Sequence, residues 1–356
     1  MLVGASQDEL QTALRLDLAT TGLLTSTVIL GVGVGVLAGG PLVDRVNRRA
    51  LFSGATALTG TALLLVGPGA GFGGVALLLC LAGIGGGLYE TVLNTAAIEH
   101  DEERSVRTVS LMHAGATLGA MLTPLGVSWL LTRADWTSAF RIIGLGHLLL
   151  PLLALVLPLG RPGGKRKPGR ILKAPLVFLF IAAFAYIGVE AAMMAFAVPY
   201  AQEALGLGAD RGRSAISLFW LGLLAGRLVF ALRAGGHSAR PAASAGAAAG
   251  LAIAIGVVLA WSRLEVLFAL VGFALGGVFP LLVSLAGRRA HATGAGVAIV
   301  AGLGSAGGVV VPWVTGIIGD AAGVSTGMLT LALWCGLLVA AALLAESGVQ
   351  AAERPG

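Results

Sequence analysis

Charged residues are scarce in this sequence, and that scarcity limits the class of protein. Asp, Glu, Lys and Arg make up only 11% of the 356 residues, whereas 57% are hydrophobic. The mean hydropathy is +0.93. A soluble domain of this length would need a far more polar surface. We therefore expect a membrane protein whose spans each hold roughly 20 mainly apolar residues.

Motifs that carry catalysis or bind metals are also missing. The two cysteines, Cys80 and Cys335, lie far apart inside apolar runs, without the close spacing of a zinc site. No zinc-protease, nucleophile-elbow or Walker motif occurs. The string GAGFGG at 69–74 matches a dinucleotide-binding pattern, but no strand precedes it. We therefore predict a protein that is not an enzyme and that uses no cofactor and no metal.

Apolar runs divide the chain into eleven predicted transmembrane helices, so the predicted fold class is an all-α polytopic membrane protein in contact with a lipid bilayer. The spans are 20–43, 50–68, 73–97, 108–131, 137–159, 174–200, 214–232, 242–261, 265–286, 293–319 and 325–345.

Basic residues are distributed unequally between alternate loops. One set of loops carries fifteen Lys and Arg residues and the other carries five. Cytoplasmic loops carry the excess of positive charge in membrane proteins. The richer set, which includes the segment 160–174, and the C-terminus are therefore predicted to be cytoplasmic in a plasma or inner membrane. Because these residues are dispersed among short loops, the net charge of +6 does not indicate a nucleic-acid partner.

The two halves of the chain repeat. Residues 34–45 align with 221–232 at an offset of 187, and Gly119 aligns with Gly307 at an offset of 188. We predict an N-terminal transmembrane half at 1–159, a basic Pro/Gly-rich linker at 160–174 and a C-terminal half at 175–356. Parallel repeats of this kind are typical of transporters, whose binding site lies between the halves near the bilayer midplane.

The sequence GGPLVDRVNRR at 39–49 resembles the loop motif G-x-L-x-D-R-x-G-R-R of the major facilitator superfamily, with Asn47 in place of the usual glycine. The resemblance implies two pseudo-symmetric six-helix halves and a carrier that usually works as a monomer. It also implies a gating contact on the cytoplasmic side. The residues assigned to this contact are Gly40, Asp44, Arg45, Arg48 and Arg49.

A longer stretch from Gly87 to Leu125 is similar to the fucose permease group of that superfamily. The group has an acid and an asparagine in its fourth helix, and its fifth helix opens with L-H-x-x-x-x-x-G. Glu90, Asn94 and His113 occupy these positions. The strings AYIGVEAAMMAFAVPYAQE and FWLGLLAGRL resemble the seventh and eighth helices of the group. The resemblance implies symport of a sugar with a proton.

One departure from the superfamily concerns its first helix, which has no counterpart in this sequence. Residues 1–19 are similar to the last residues of that helix and the outer loop after it. In the fucose permease group the missing helix carries an acidic residue used in transport. We expect either that the start codon was assigned too far downstream or that the protein is degenerate.

Glu90 ends a run of forty residues, 50–89, that contains no charge. Gly83, Gly87, Glu90 and Asn94 recur at helical spacing and therefore share one face. A carboxylate in hydrocarbon costs on the order of 3 kcal/mol, so Glu90 must face protein or a water-filled cavity. Removal from water favours its protonated form, which suits proton coupling. The alternative is a permanently protonated acid that bridges two helices.

Six further residues are candidates inside the spans. Glu190 and Arg227 lie at similar depth, so they could form an ion pair that is structural or that switches during transport. Tyr186 shares a helix face with Glu190 and is a candidate substrate contact. Trp220 and Trp313 could stack on a sugar ring, or could serve as packing or interface anchors. His113 could bind a substrate hydroxyl, relay a proton, or bond to the backbone.

Three functional classes remain open at this point. The first is proton-coupled symport of a small hydrophilic solute such as a sugar or polyol, with proton coupling at Glu90 and Glu190. The second is proton-driven efflux of a drug-like compound by the same fold. The third is a truncated membrane protein that does not transport.

Overall fold

The computed structural model describes residues 2–16, 18–101, 103–160, 174–233, 238–290 and 293–353. Within these ranges every regular element is helical, with no strand. The predicted linker lies almost entirely outside the described residues. Two short helices, α1 (Leu2–Ala5) and α2 (Gln7–Leu14), precede the first predicted span.

All eleven predicted spans coincide with helical segments. Single helices form most of them, and the predicted span 137–159 ends in a 3₁₀ turn, Leu150–Leu155. The helices are α3 (Leu18–Val43), α4 (Arg48–Leu65), α5 (Gly71–His100), α6 (Ser105–Leu131), α7 (Thr137–Leu149), α8 (Ala174–Pro199), α9 (Ala209–Arg233), α10 (Arg240–Val258), α11 (Leu264–Leu275), α12 (Val278–Arg289), α13 (Thr293–Val297), α14 (Gly307–Ala322) and α15 (Val324–Glu353). Among the described residues, nine spans are long and apolar enough to cross a membrane, and α4 and α6 fill the other two predicted positions.

Two predicted spans are broken where the sequence analysis expected continuous helices. The span 265–286 divides into α11 and α12 at Gly276 and Gly277. Pro280 has no N–H to donate to the carbonyl of residue 276, and two glycines favour departure from the helix. The span 293–319 consists of α13, a π-helical segment Ala298–Leu303, and α14. π-Helical turns inside α-helices are frequent at functional sites.

The chain forms two compact units. Unit 1 comprises the described residues of Met1–His100, Gly119–Lys167 and Ala292–Ala298. One of its cores surrounds the buried side chains of Leu24, Val75 and Phe140. A second core contains Val43, Phe52 and Leu159.

Unit 2 comprises the described residues of Asp101–Leu118, Pro168–His291 and Ile299–Gly356. Its core is formed mainly by α8, α9, α10, α11, α12 and α15, and Val106 at the start of α6 also belongs to it. Helix α6 is therefore shared, because its first part clusters with unit 2 and the part from Gly119 clusters with unit 1.

Glycines bring two pairs of helices into backbone contact. In unit 1, a Cβ at Gly35 would collide with the backbone of α5 at Ile84. In unit 2, a Cβ at Gly222, 187 residues later, would collide with the backbone of α11 at Ala269. Small residues permit such close approach in membranes. The pairs α3–α5 and α9–α11 thus repeat the same packing within their own units.

Candidate functional site

The loop after α3 carries a carboxylate that binds the start of α13. Asp44 Oδ1 accepts a hydrogen bond from the backbone N–H of Gly294, and Oδ2 accepts one from Ala295, both at 3.3 Å. Burial raises the pKa of the Asp44 carboxyl above its ordinary value of 3.8. The two N–H donors and the positive charge of Arg48 act in the opposite direction. The contact joins residues that are 250 positions apart in sequence.

Gly40 allows this contact to form. A Cβ at Gly40 would lie 2.5 Å from Cβ of Ala298 and 2.9 Å from the carbonyl oxygen of Gly294. Any larger residue would therefore separate α3 from α13. The loop glycine at the motif's eighth position is replaced by Asn47, whose backbone is extended (φ −61°, ψ 116°) and needs no glycine. Its side chain instead caps α4 by accepting the N–H groups of Arg49 and Ala50.

The three arginines of the motif have different environments. Arg45 and Arg49 are exposed, whereas the Arg48 residue is only 1% exposed. Arg48 Nη1 donates to Glu99 Oε2 at 2.5 Å, and Nε donates to the carbonyl of Val43 at 3.0 Å. A solvated run of charge therefore describes Arg45 and Arg49 but not Arg48.

Glu90 and Asn94 lie one turn apart on α5, within unit 1. The Asn94 side chain is buried, with 1% of the residue exposed, and Glu90 is half-buried. Gly83 and Gly87 on the same face pack against the backbone of α3 at Val28 and Val32. The predicted face therefore exists. It combines close helix packing with a carboxyl and an amide inside a 33-residue apolar span, Pro68–His100.

Tyr186, Glu190 and Arg227 form a polar cluster within unit 2. The Tyr186 hydroxyl donates to Glu190 Oε2 at 2.5 Å and also interacts with the Arg227 side chain. Among the described residues, Glu190 and Arg227 make no direct ion pair. The ion pair suggested by their depth is therefore replaced by an arrangement in which Tyr186 lies between the two charges.

Arg227 also contacts helix α6. Its Nη1 donates to the backbone carbonyl of His113 at 3.0 Å and to the hydroxyl of Thr117. The His113 side chain is largely buried, and its ring lies edge-on to Phe279, with centroids 5.3 Å apart. Phe279 in turn stacks on Tyr186 at 5.9 Å. Three aromatic rings therefore follow one another beside the break between α11 and α12.

The two tryptophan candidates are separate from this cluster. Trp220 is half-buried and lies edge-on to Phe219 at 6.1 Å. Trp313 on α14 is 66% exposed. Their proposed roles stay predictions.

Several residues that make these contacts carry no recognisable signal in the sequence. Glu99 was the next charge after Glu90 in sequence, but nothing in the pattern paired it with Arg48. Thr117 and Phe279 are common residue types in apolar helices, so no motif distinguishes them. In the described part of the chain, no group of three or more His, Cys, Asp or Glu side chains is placed to hold a metal ion.

The helices, the repeated glycine contacts and the buried polar groups define a polytopic α-helical membrane protein. The sequence profile of the Major Facilitator Superfamily matches residues 1–312. The chain belongs to this superfamily, whose members are transporters.

Solved structures with the same fold include three transporters. The fucose:proton symporter FucP of E. coli superposes with a TM-score of 0.79 at 18% identity, covering 97% of this chain and 95% of that one. The proton:xylose symporter XylE gives 0.74 at 14% identity, covering 96% and 90%. The human organic anion transporter MFSD10 gives 0.71 at 17% identity, covering 97% and 89%. At these identities the likeness shows the fold alone.

A curated relative is more similar in sequence over a shorter stretch. The 3-(3-hydroxy-phenyl)propionate transporter of Escherichia coli K12 is 33% identical over 153 residues, which is 41% of this chain. The matched stretch spans 36% of that relative's length.

Proposed function

We propose that this protein is a secondary transporter that couples movement of a small hydrophilic solute, a sugar or polyol, to a proton by alternating access. The supporting observation is the half-buried Glu90 one turn from the buried Asn94 on α5. Glu90 supplies a carboxyl that can bind and release a proton, and Asn94 supplies both a donor and an acceptor for a substrate hydroxyl. The likeness to fucose and xylose symporters supports the choice of solute.

Protonation of Glu90 removes a charge from the interior of an apolar span. Because a charged carboxyl is costly there, proton binding favours the rearrangement that carries the site across the membrane. The loop contact of Asp44 with α13 serves as the cytoplasmic gate in this account. The carrier acts as a monomer in the cytoplasmic membrane, with its basic loops and C-terminus in the cytoplasm.

A second candidate substrate is an aromatic carboxylate. The 33% identity to a 3-(3-hydroxyphenyl)propionate transporter favours it, as does the row of rings formed by His113, Phe279 and Tyr186 beside Arg227. Aromatic rings stack on planar substrates, and a guanidinium attracts a carboxylate.

The test is substrate-driven acidification of proteoliposomes that contain a pH dye. Fucose, xylose, sorbitol and 3-(3-hydroxyphenyl)propionate are added outside, with empty liposomes to subtract passive entry of the acid. We expect acidification by a sugar or polyol that disappears in Glu90→Gln. The matched control is Glu203→Gln, which neutralises an exposed carboxyl in the π-helical segment Tyr200–Ala204 that follows α8.

Each outcome of this assay discriminates between substrates. If only the aromatic acid causes acidification, the substrate is an aromatic carboxylate and not a sugar or polyol. No response to any compound from folded protein would contradict proton symport of these solutes. Equal loss in Glu203→Gln would show that the Glu90 effect is not specific.

A further inference from the structure

Helix α7 carries a histidine that the proposed transport mechanism does not use. His147 lies in the apolar span Thr137–Leu155 and is half-buried. Ionisable residues are rare inside membrane spans because their charged forms are costly there, and those that occur often mark ion or proton pathways. Histidine is the side chain whose charge ordinarily changes between about pH 5 and pH 8. His147 is therefore a candidate for proton binding in unit 1.

The hydrogen bond of His147 determines which ring nitrogen can bind a proton. Nδ1 lies 2.9 Å from the backbone carbonyl oxygen of Ile143, one turn earlier on α7. Because a carbonyl oxygen only accepts, Nδ1 carries a hydrogen and donates it. The lone pair of the neutral ring is therefore on Nε2. A proton that binds at Nε2 gives the ring a positive charge and leaves the bond to Ile143 intact.

Tyr89 of α5 connects His147 with Glu90. The centroids of the Tyr89 and His147 rings lie 6.0 Å apart, with the ring planes tilted by 47°. At this separation an aromatic ring attracts a cation. Tyr89 also interacts electrostatically with Glu90, its neighbour in sequence. Because Tyr89 belongs to the apolar core around Phe52, charges on its two sides interact more strongly than they would in water.

The internal repeat separates packing from ionisation at this position. Helix α15 starts 187 residues after α7, so the counterpart of His147 is Trp334. Trp334 is also half-buried, and its ring centroid lies 6.0 Å from that of Phe184 on α8, at a tilt of 51°. In unit 2 a ring that takes up no proton makes the same kind of contact. Packing alone therefore does not require an ionisable ring at position 147.

The other charged groups around His147 are exposed or already paired. In the described residues, the groups of the surrounding helices that can carry charge are Arg48 and Arg49 on α4, Tyr89, Glu90 and Glu99 on α5, and Arg141 on α7 itself. Arg49 and Arg141 are exposed, and Arg48 pairs with Glu99. The turn Leu150–Leu155 that continues α7 contains no ionisable residue. Glu90 is therefore the carboxylate whose charge acts on His147 within the apolar interior.

We propose that His147 is a further proton-binding residue of the carrier and that its proton affinity depends on the charge of Glu90. The proton comes from water, binds at Nε2 and converts the neutral imidazole into imidazolium. A carboxylate at Glu90 favours the imidazolium, and by reciprocity the imidazolium favours the carboxylate. The coupling rests on the proposed function, in which Glu90 exchanges a proton. Proton binding at His147 can be measured without transport.

The test is nitrogen NMR of the full-length protein in lipid bilayers, with isotopically labelled histidine, between about pH 5 and pH 8. The spectrum distinguishes a ring nitrogen that bears hydrogen from one that has a lone pair. The signals of His147 are assigned by their loss in His147→Phe, which retains a ring beside Tyr89. The titration is repeated in Glu90→Gln and in Glu203→Gln, the control that removes an exposed carboxyl.

We expect hydrogen on Nδ1 alone at the alkaline end and on both nitrogens at the acid end. In Glu90→Gln the midpoint should move to lower pH by about half a unit, a threefold weaker binding of the proton. This is less than the effect of about 1–3 units from charges in direct contact. Glu203→Gln should leave the midpoint unchanged. A ring that keeps one charge state throughout would overturn the proposal. Equal midpoints in wild type and Glu90→Gln, or an equal shift in Glu203→Gln, would overturn the coupling.

The pH dependence of transport separates this inference from the proposed function. His147→Phe should move the pH dependence of substrate-driven acidification to higher pH by a similar amount, because Glu90 then binds its proton without a neighbouring cation. Trp334→Phe, the equivalent change in unit 2, should not move it, and equal profiles of the two variants would overturn the coupling. If no compound causes acidification in the wild type, the proposed function fails. The NMR titration still confirms or overturns proton binding at His147.

Discussion

The buried ion pair between Arg48 and Glu99 gives a prediction of definite size. The Arg48 side chain is fully buried, whereas that of Glu99 is 34% exposed. Removing one partner of a buried pair costs about 3–5 kcal/mol. Because Glu99 is partly solvated and the carbonyl of Val43 remains as an acceptor, we expect Glu99→Ala to cost about 2 kcal/mol, near the value of a charged hydrogen bond.

The assay is thermal unfolding of purified protein in detergent. A loss of about 2 kcal/mol corresponds to a fall of roughly 4–8 °C in Tm on the scale of soluble domains. Arg49→Ala is the control, because Arg49 is exposed and belongs to the same basic run. It should change stability by less than about 0.5 kcal/mol. A double-mutant cycle with Arg48→Ala isolates the pairwise free energy.

Two results would refute this reasoning. Glu99→Ala and Arg49→Ala could lower Tm equally, which would mean that burial of Arg48 does not depend on its counter-ion. The cycle could instead give a coupling free energy near zero. Either result would show that the ion pair between Arg48 and Glu99 does not stabilise the packing of α4 against α5.

Three further predictions concern packing and ionisation. Tyr186→Phe removes the hydrogen bond to Glu190 and should lower stability by about 1–2 kcal/mol; an unchanged Tm in thermal unfolding would contradict it. Gly226→Ala places a Cβ against the backbone of α11 and should reduce the yield of folded protein on size exclusion. Gly115→Ala fills open space and should leave the yield unchanged. Equal yields of the two variants would contradict close packing of α9 against α11 at Gly226. Hydrogen bonds from neighbouring hydroxyls lower the pKa of Asp135 below 3.8. The stability it contributes is present above its ordinary pKa and is lost as pH falls through the folded-state pKa. The Tm difference between wild type and Asp135→Ala should therefore be constant from pH 7 to pH 5 and close at lower pH; a difference that persists in acid would contradict this sign.

Much of the fold could be predicted because membrane helices are encoded by long apolar runs. All eleven spans were found from hydropathy, since the bilayer fixes their length. The helix breaks at Gly276 and within 298–303 were missed, because glycine is frequent in this chain and its effect depends on the neighbouring helix. For the same reason, α13 and α14 were predicted as one continuous helix.

The candidate site was predictable only where charge is rare. Glu90 and Arg227 stand out in the sequence because they are charged residues in apolar helices. Their side chains are therefore expected to be buried. The motif identified Arg48 but not its depth, because Arg45 and Arg49 have the same chemistry and are exposed. Which threonine or phenylalanine meets a charge depends on helix rotation and on distant parts of the chain. The contact of Thr117 with Arg227 could therefore be identified only from the structure.

The most direct test of proton coupling at Glu90 is to compare two transport modes of one variant. Proteoliposomes containing Glu90→Gln are assayed with radiolabelled fucose for accumulation driven by an inward proton gradient and for counterflow at equal pH. We expect accumulation to be lost while counterflow persists, because the amide mimics the protonated carboxyl. Accumulation at the wild-type level would contradict proton coupling through Glu90.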